Sequence, residues 1–328
     1  MAERKIGRVI SGKSLSPLLK IFRIVPEDGQ KFPLYAAGQY MALSRDHCKL
    51  TRKRPGPDGR PVYEYDTDAE GSVRHGTVTR AYSIASAPYE TEESGFLEFY
   101  VVLETIESDT LGRLSSSLFD LDPDSDNLLR YHDKITGDFT LERRAGDTPN
   151  VVMVGTGTGL APFASILKQL EHEARNGMKR SVRYTLIHTN RTVRELAYHE
   201  ELLAIENSGL LDFVYIPCVT RPSVGDFDDL EIGLGRGNNL LRSMFGMLLK
   251  EEEELEEAKR NGNEIAGFEA ILPRVVLPRL PGKISKEEIL SRMPGGQTVV
   301  LSCGNPLLME DIRKIAELNG LRFEQEDW

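Results

Sequence analysis

Residues 151–162 read Val-Val-Met-Val-Gly-Thr-Gly-Thr-Gly-Leu-Ala-Pro. The opening apolar run has only the length of a buried strand, and it meets glycines at positions 155, 157 and 159. Leu160, Phe163, Ile166, Leu167 and Leu170 then recur at helical spacing. Strand, glycine turn and helix in that order make a phosphate-binding device. Glycine lets backbone N–H groups close on an anion, and the helix N-terminus adds partial positive charge. The same residues also make a plain, tight strand–helix joint. The spacing Gly-x-Gly-x-Gly differs from the Gly-x-Gly-x-x-Gly of the usual dinucleotide motif, so the turn alone leaves both readings open.

Outward from this turn, Val151–Val154, Tyr184–His188, Phe213–Val219 and Thr298–Ser302 are short apolar runs with helical segments between them. That alternation predicts a doubly wound parallel sheet with helices on both faces. Upstream the rhythm is different. Ile6–Ile10, Leu18–Ile24, Tyr40–Leu43, Ala81–Ile84 and Leu97–Val102 read as strands between Gly-, Pro- and Asp-rich turns, the pattern of an antiparallel barrel. The change of rhythm puts the boundary in Arg144–Pro149, giving a β domain over 1–145 and an α/β domain over 150–328. Residues 46–79 and 223–296 read as insertions. Within the second, the helical stretch Lys250–Arg260 carries the acidic run Glu251–Glu254, expected to be a solvated face.

With 328 residues, 40% apolar and 28% charged, the chain has ample material for two cores. No apolar stretch reaches the ~20 residues of a membrane span. No apolar signal region follows Met-Ala-Glu-Arg-Lys, which points to the cytoplasm. Cys48, Cys218 and Cys303 are too scattered for a disulfide framework, a zinc site or an iron–sulfur module, and none of the six histidines stands at metal-ligand spacing. No metal is expected. A net charge of −10 argues against nucleic acid as a general partner.

Arg80-Ala81-Tyr82-Ser83, with a small-residue turn to Ser86 and then Pro88, resembles the flavin motif of the bacterial-type ferredoxin–NADP⁺ reductases. The resemblance takes in Ala37-Gly38-Gln39-Tyr40, Leu97-Glu98-Phe99-Tyr100 and Leu111-Gly112-x-Leu114-Ser115-Ser116-x-Leu118. It continues, in family order, through Gly155–Gly159 with Ala161-Pro162 to Cys303-Gly304-Asn305-Pro306. It implies an N-terminal antiparallel Greek-key β-barrel that binds FAD, followed by a doubly wound α/β domain that binds NADP(H). Tyr82 would stack on the isoalloxazine, Ser83 would hydrogen-bond flavin N5, and Arg80 would grip the diphosphate. The N–H groups and hydroxyls around Leu114, Ser115 and Ser116 would hold the same diphosphate. Thr156, Gly157, Thr158 and Gly159 would cradle the NADP diphosphate. Cys303, Gly304 and Asn305 would lie against the nicotinamide, the thiol acting by shape and polarisability. Tyr82, Ser83 and Cys303 are the implied catalytic residues.

No acid stands at the ribose position after Tyr184–His188. Instead Arg191, Arg221 and Arg236 match the arginines with which such reductases grip the 2′-phosphate. Trp328 corresponds to a terminal aromatic that packs on the flavin or its adenine, and Tyr198 either contacts adenine or fills a helix core. The implied reaction is hydride transfer between NADP(H) and FAD, with single electrons exchanged with ferredoxin or flavodoxin. Reduction of another carrier or of a ferric siderophore, and a non-catalytic docking protein on the same fold, stay open. Since such carriers are acidic, docking needs a local positive field, for which Lys49, Arg52, Lys53 and Arg54, with Arg60 and Arg74, are the candidates.

Overall fold

The computed structural model describes residues 4–56, 61–107, 110–178 and 180–326. The chain divides between Asp138 and Phe139 into two units. The first contains β1 (Arg4–Ser16), β2 (Leu19–Pro26), β3 (Tyr40–Lys49), β4 (Thr51–Pro55), β5 (Pro61–Tyr65), β6 (His75–Ser83), α1 (Pro88–Ser94), β7 (Leu97–Val102), β8 (Thr105–Glu107), β9 (Thr110–Leu111), α2 (Arg113–Phe119) and β10 (Leu128–Thr136).

Six of these strands form an antiparallel sheet in the order β6-β3-β10-β1-β2-β7. Its two edges meet where Ile84 bridges Phe99 and the Ala85 N–H donates to the Glu98 carbonyl at 2.8 Å. The sheet therefore curls into a barrel with Greek-key connections. Alternation drives the curl: Phe22 and Ile24 of β2, Met41 and Leu43 of β3, and Leu97, Phe99 and Val101 of β7 point into one core. Leu114 and Leu118 press α2 onto that core. The buried Lys20 ammonium donates to the carbonyls of Phe119 (2.9 Å) and Leu121, fixing the C-terminal end of α2.

β3 and β6 stay paired well past the barrel, out to Cys48–Gly76 and Lys49–His75. A bulge between Arg45 and Cys48 puts His47 at φ 60°. Beyond it β4 and β5 form a two-stranded hairpin. Much of segment 46–79 is thus strand. Its polar residues hid this from a reading that looks for one apolar face.

The second unit contains α3 (Leu141–Arg144), β11 (Asn150–Thr156), α4 (Ala161–Arg175), β12 (Arg183–Asn190), α5 (His199–Ser208), β13 (Asp212–Val219), β14 (Gly233–Leu234), α6 (Gly237–Met244), α7 (Lys250–Arg260), α8 (Ala266–Ile271), α9 (Lys286–Ser291), β15 (Thr298–Cys303), α10 (Pro306–Leu318) and β16 (Arg322–Gln325). Its sheet is wholly parallel, in the order β14-β13-β12-β11-β15-β16. The strand order reverses between β11 and β15. Val152, Val154, Ile187, Ile216 and Val300 build one core with Leu240 and Leu241 of α6 and Ile312 and Ile315 of α10.

The division falls ahead of Arg144–Pro149. Phe139 is buried, its ring 5.7 Å from that of Phe163 on α4, and this draws the connecting segment into the second unit. Within segment 223–296, β14 extends the sheet, and α6 and Ile289 of α9 enter the core. Nor is Glu251–Glu254 a solvated face. Glu251 pairs with Arg236, and Glu253 with Arg242 and Lys314. Among the described residues no helix is long and apolar enough to cross a membrane.

Candidate functional site

The glycine turn lies at the carboxyl end of β11, beside the carboxyl end of β15. Residues 157–160 make one 3₁₀ turn and α4 begins at Ala161, with Pro162 in its first turn. Gly157 takes φ +58°, and a Cβ there would meet nothing within 4 Å. Its neighbours are the opposite. A Cβ at Gly159 would lie 2.2 Å from the Cys303 carbonyl oxygen, and one at Gly304 (φ +134°) 2.0 Å from Thr156 Oγ1. The Asn305 N–H donates to Thr156 Oγ1 at 3.1 Å. The Asn305 side chain in turn caps α10, accepting from the Leu307 and Leu308 N–H groups at 2.9 and 3.3 Å. The structure thus brings Thr156, Gly157, Thr158, Gly159, Cys303, Gly304 and Asn305 into two interlocked turns.

Cys303 is fully buried and its Sγ–H donates to Glu326 Oε2 at 2.9 Å. Burial and the adjacent carboxylate push the thiol pKa well above its ordinary value, so it stays protonated and is no nucleophile. Glu326 was absent from the sequence reading. It stands alone just past β16, with no motif or period around it.

The three arginines follow three adjacent strands. Arg191 follows β12 directly, and the Arg221 N–H after β13 donates to the Arg191 carbonyl at 2.8 Å. The Gly235 N–H, after β14, donates to the Val219 carbonyl at 2.9 Å, which places Arg236 next in line as the N-cap of α6. Two of the three have carboxylate partners that sequence reasoning missed. Arg191 grips buried Glu195 with Nε at 3.0 Å and Nη2 at 2.6 Å. Arg236 Nη1 lies 3.1 Å from Glu251, which also accepts from Asn239 Nδ2 at 2.8 Å. The Arg221 guanidinium is exposed and has no partner among the described residues. Tyr198 sits at φ 57°, a rare conformation for a non-glycine residue, with Lys168 Nζ 5.3 Å from its ring centroid.

In the first unit, Arg80 and Tyr82 alternate on β6, opposite Leu43 and Met41. The Arg80 guanidinium is exposed and donates to the Thr79 carbonyl at 2.8 Å. Tyr82 packs part of its ring on the barrel core, and burial pushes its hydroxyl pKa upward. Ser83 is buried. The α2 residues are placed differently from one another. Leu114 points into the core, and the buried Ser115 hydroxyl donates to the Gly112 carbonyl and accepts from the Glu104 N–H. What these two can offer a ligand is backbone. Ser116 lies on the wall of a cavity of about 390 Å³ that Lys49, Tyr65 and His75 also line.

The basic stretch is partly neutralised across its hairpin. Arg52 and Arg54 share Glu64 at 2.6 and 2.7 Å, and Arg74 faces Asp66 at 3.9 Å. Arg60 and Trp328 lie outside the described residues. No cluster of potential metal ligands occurs among the described residues.

Residues 153–229 match the family model of the oxidoreductase NAD-binding domain. No curated protein sequence matches the chain. Solved structures do. A ferredoxin NADP⁺ reductase from Neisseria gonorrhoeae, crystallised with FAD and NADP, is 21% identical with a TM-score of 0.57 over 99% of both chains. The FAD/NAD-binding domain of nitric oxide dioxygenase from Vibrio cholerae O1 biovar El Tor is 16% identical, TM-score 0.58, over 98% of each chain. The cytochrome b5 reductase domain of Ulva prolifera nitrate reductase is 16% identical, TM-score 0.53, over 98% of this chain and 97% of that one. A curled antiparallel sheet followed by a parallel α/β unit that matches an oxidoreductase NAD-binding domain gives this chain the fold of the ferredoxin–NADP⁺ reductases.

Proposed function

We propose that the chain is a flavoprotein reductase that holds FAD in its first unit and NADP(H) in its second, and exchanges single electrons with a small carrier such as ferredoxin or flavodoxin. The observation that carries this reading is the pair of interlocked turns between β11 and β15. Open α/β sheets bind ligands outside the carboxyl ends of their strands, where the strand order reverses. There Gly157 leaves open space, while Gly159 and Gly304 sit where no side chain fits. That is a built cradle. It suits a dinucleotide diphosphate at 157–159 and a nicotinamide against Cys303–Asn305.

The first unit fits FAD by its donor set. Arg80 offers an uncommitted guanidinium edge for a diphosphate. The first-turn N–H groups of α2 are donors of the same kind, and Gly112 before them packs so tightly that a Cβ there would lie 2.4 Å from Ser115 Oγ. Tyr82 supplies an aromatic face and Ser83 a hydroxyl beside it. Bound FAD supplies the two-electron to one-electron conversion. The protein's own task is positioning, so its residues need donate or accept no proton for hydride transfer itself. Cys303, held protonated against Glu326, shapes the nicotinamide floor without attacking it.

One observation favours a second reading, an NADH-dependent reductase of another carrier: Glu195 and Glu251 already occupy two of the three arginines. Anaerobic addition of NADPH, and separately NADH, to the FAD-loaded protein tests both. The proposal expects the yellow colour to bleach with NADPH. Bleaching by NADH alone selects the second reading. A protein that retains FAD and stays yellow with either nucleotide is a non-catalytic relative.

A further inference from the structure

Beside the carboxyl ends of β13 and β14 lies a pocket of about 120 Å³ lined by Thr220, Arg236, Asn239, Glu251, Arg274 and Val276, among others. It is far smaller than the ~300–1,000 Å³ of sites that enclose a small molecule, so it suits one substituent of a larger ligand. Its charge is positive: two guanidinium groups face one carboxylate. Glu251 is nearly buried and is tied to Arg236 and Asn239. It therefore orients Arg236 through Nη1 alone, and the Arg236 side chain stays 57% exposed. Arg236 is also the N-cap of α6, an end with no side-chain cap and no acidic residue in its first turn, which adds partial positive charge.

Arg274 comes from the turn after α8, within segment 223–296. It is exposed and has no partner among the described residues, yet its backbone is not loosely held. Val276 packs on Leu196, Val219, Ile232 and Leu234. Leu234 and Arg279 exchange backbone hydrogen bonds of 2.8 and 3.0 Å. Arg279 ties the same stretch down by donating to the Asp229 and Ile232 carbonyls at 2.6 and 3.1 Å. Gly235 permits this close approach: a Cβ there would lie 3.0 Å from Pro278 Cα. The backbone just beyond Arg274 is thus anchored, and it brings Arg274 to the wall of a small polar pocket that Thr220, the neighbour of Arg221, also lines.

We propose that this pocket is a phosphate-monoester subsite of the nucleotide site and that Arg274 is a specificity-determining residue for the 2′-phosphate of NADP(H). The proposal rests on the NADP(H) reading above. The test is calorimetric titration of the FAD-loaded protein with 2′,5′-ADP, 5′-AMP and inorganic phosphate, for wild type, Arg274→Ala, Arg274→Lys and Arg221→Ala. Loss of one charge-assisted contact corresponds to about tenfold. Arg274→Ala should weaken 2′,5′-ADP by about that factor and leave 5′-AMP unchanged, with Arg274→Lys losing less. If Arg221→Ala loses 2′,5′-ADP and Arg274→Ala does not, the proposal fails while the NADP(H) reading stands. If wild type binds 2′,5′-ADP no better than 5′-AMP, that reading fails and the proposal with it. Phosphate binding that depends on Arg274, with 2′,5′-ADP binding that does not, makes the pocket a separate anion site and also overturns the proposal.

Discussion

Arg221 is exposed just beyond β13, and its guanidinium meets no carboxylate among the described residues. Under the NADP(H) reading it contributes fully to the 2′-phosphate, whereas Arg191 must share itself with Glu195. Arg221→Ala should weaken NADPH by about tenfold or more, from ~1.5–3 kcal/mol per charge-assisted contact, and leave NADH nearly unchanged. Equal losses for both nucleotides, measured by titration of the flavin spectrum, would remove the assignment. In the first unit Arg80→Ala should lower the FAD content that survives gel filtration, and Tyr82→Ala should alter the flavin spectrum. Normal values in both variants would displace FAD from β6. At this scale the glycines and arginines were legible because their spacing is local. Glu195, Glu251 and Glu326 were not, since a carboxylate becomes a partner only when the chain folds back on it. Leu114 shows the converse: its motif position is local, but the side chain answers to the barrel core.

α6, α7 and α10 meet around Arg242, which is 0% exposed. Its guanidinium binds both oxygens of Asp311 and one of Glu253, and Asp311 also accepts from Asn238 at 2.8 Å. Removing one partner leaves a buried charge uncompensated. Asp311→Ala should therefore destabilise the second unit by roughly 3–5 kcal/mol in urea, while Arg242→Met with Asp311→Leu should cost much less. Similar losses in both would deny the pair its burial. The acidic run in α7 looked solvated in sequence because four successive glutamates say nothing about which of them face Arg236, Arg242 and Lys314.

Between β12, β13 and α5, fully buried His188 shares the Tyr215 hydroxyl with His199, at 3.1 and 3.2 Å. Burial, then the charge of His199, lowers the His188 pKa from 6.5 to about 3. The folded chain thus keeps this ring neutral where the unfolded chain protonates it. Above pH ~6.5 the group has no effect. As pH falls from there towards 3, stability is lost by up to ~1.4 kcal/mol per pH unit. Urea midpoints at pH 7.5 and 5.0 should converge in His188→Gln relative to wild type. An identical pH dependence in both would show that His188 titrates normally.

Across the whole molecule, the succession of an antiparallel β unit and a parallel α/β unit was the most legible part. Alternating apolar runs marked both sheets, and the wholly parallel order around β11 follows from strand–helix alternation. β14 and β16, of two and four residues, carried too little pattern to be seen. The chain carries a net charge of −10, so attraction of an acidic carrier needs a local field. Glu64 and Asp66 offset part of the field of Arg52, Arg54 and Arg74. Reversing Arg52, Lys53 and Arg54 to Glu should slow electron transfer to ferredoxin or flavodoxin, most at low salt, and leave ferricyanide reduction nearly unchanged. Parallel losses with both acceptors would exclude this hairpin as the docking patch.

In the proposed reaction a hydride passes from NADPH to FAD. Anaerobic stopped-flow reduction of the FAD-loaded protein, with NADPH and NADH in parallel, tests it most directly. Flavin absorbance should fall rapidly with NADPH, saturating at a lower concentration than with NADH. Flavin that stays oxidised with saturating NADPH would contradict it.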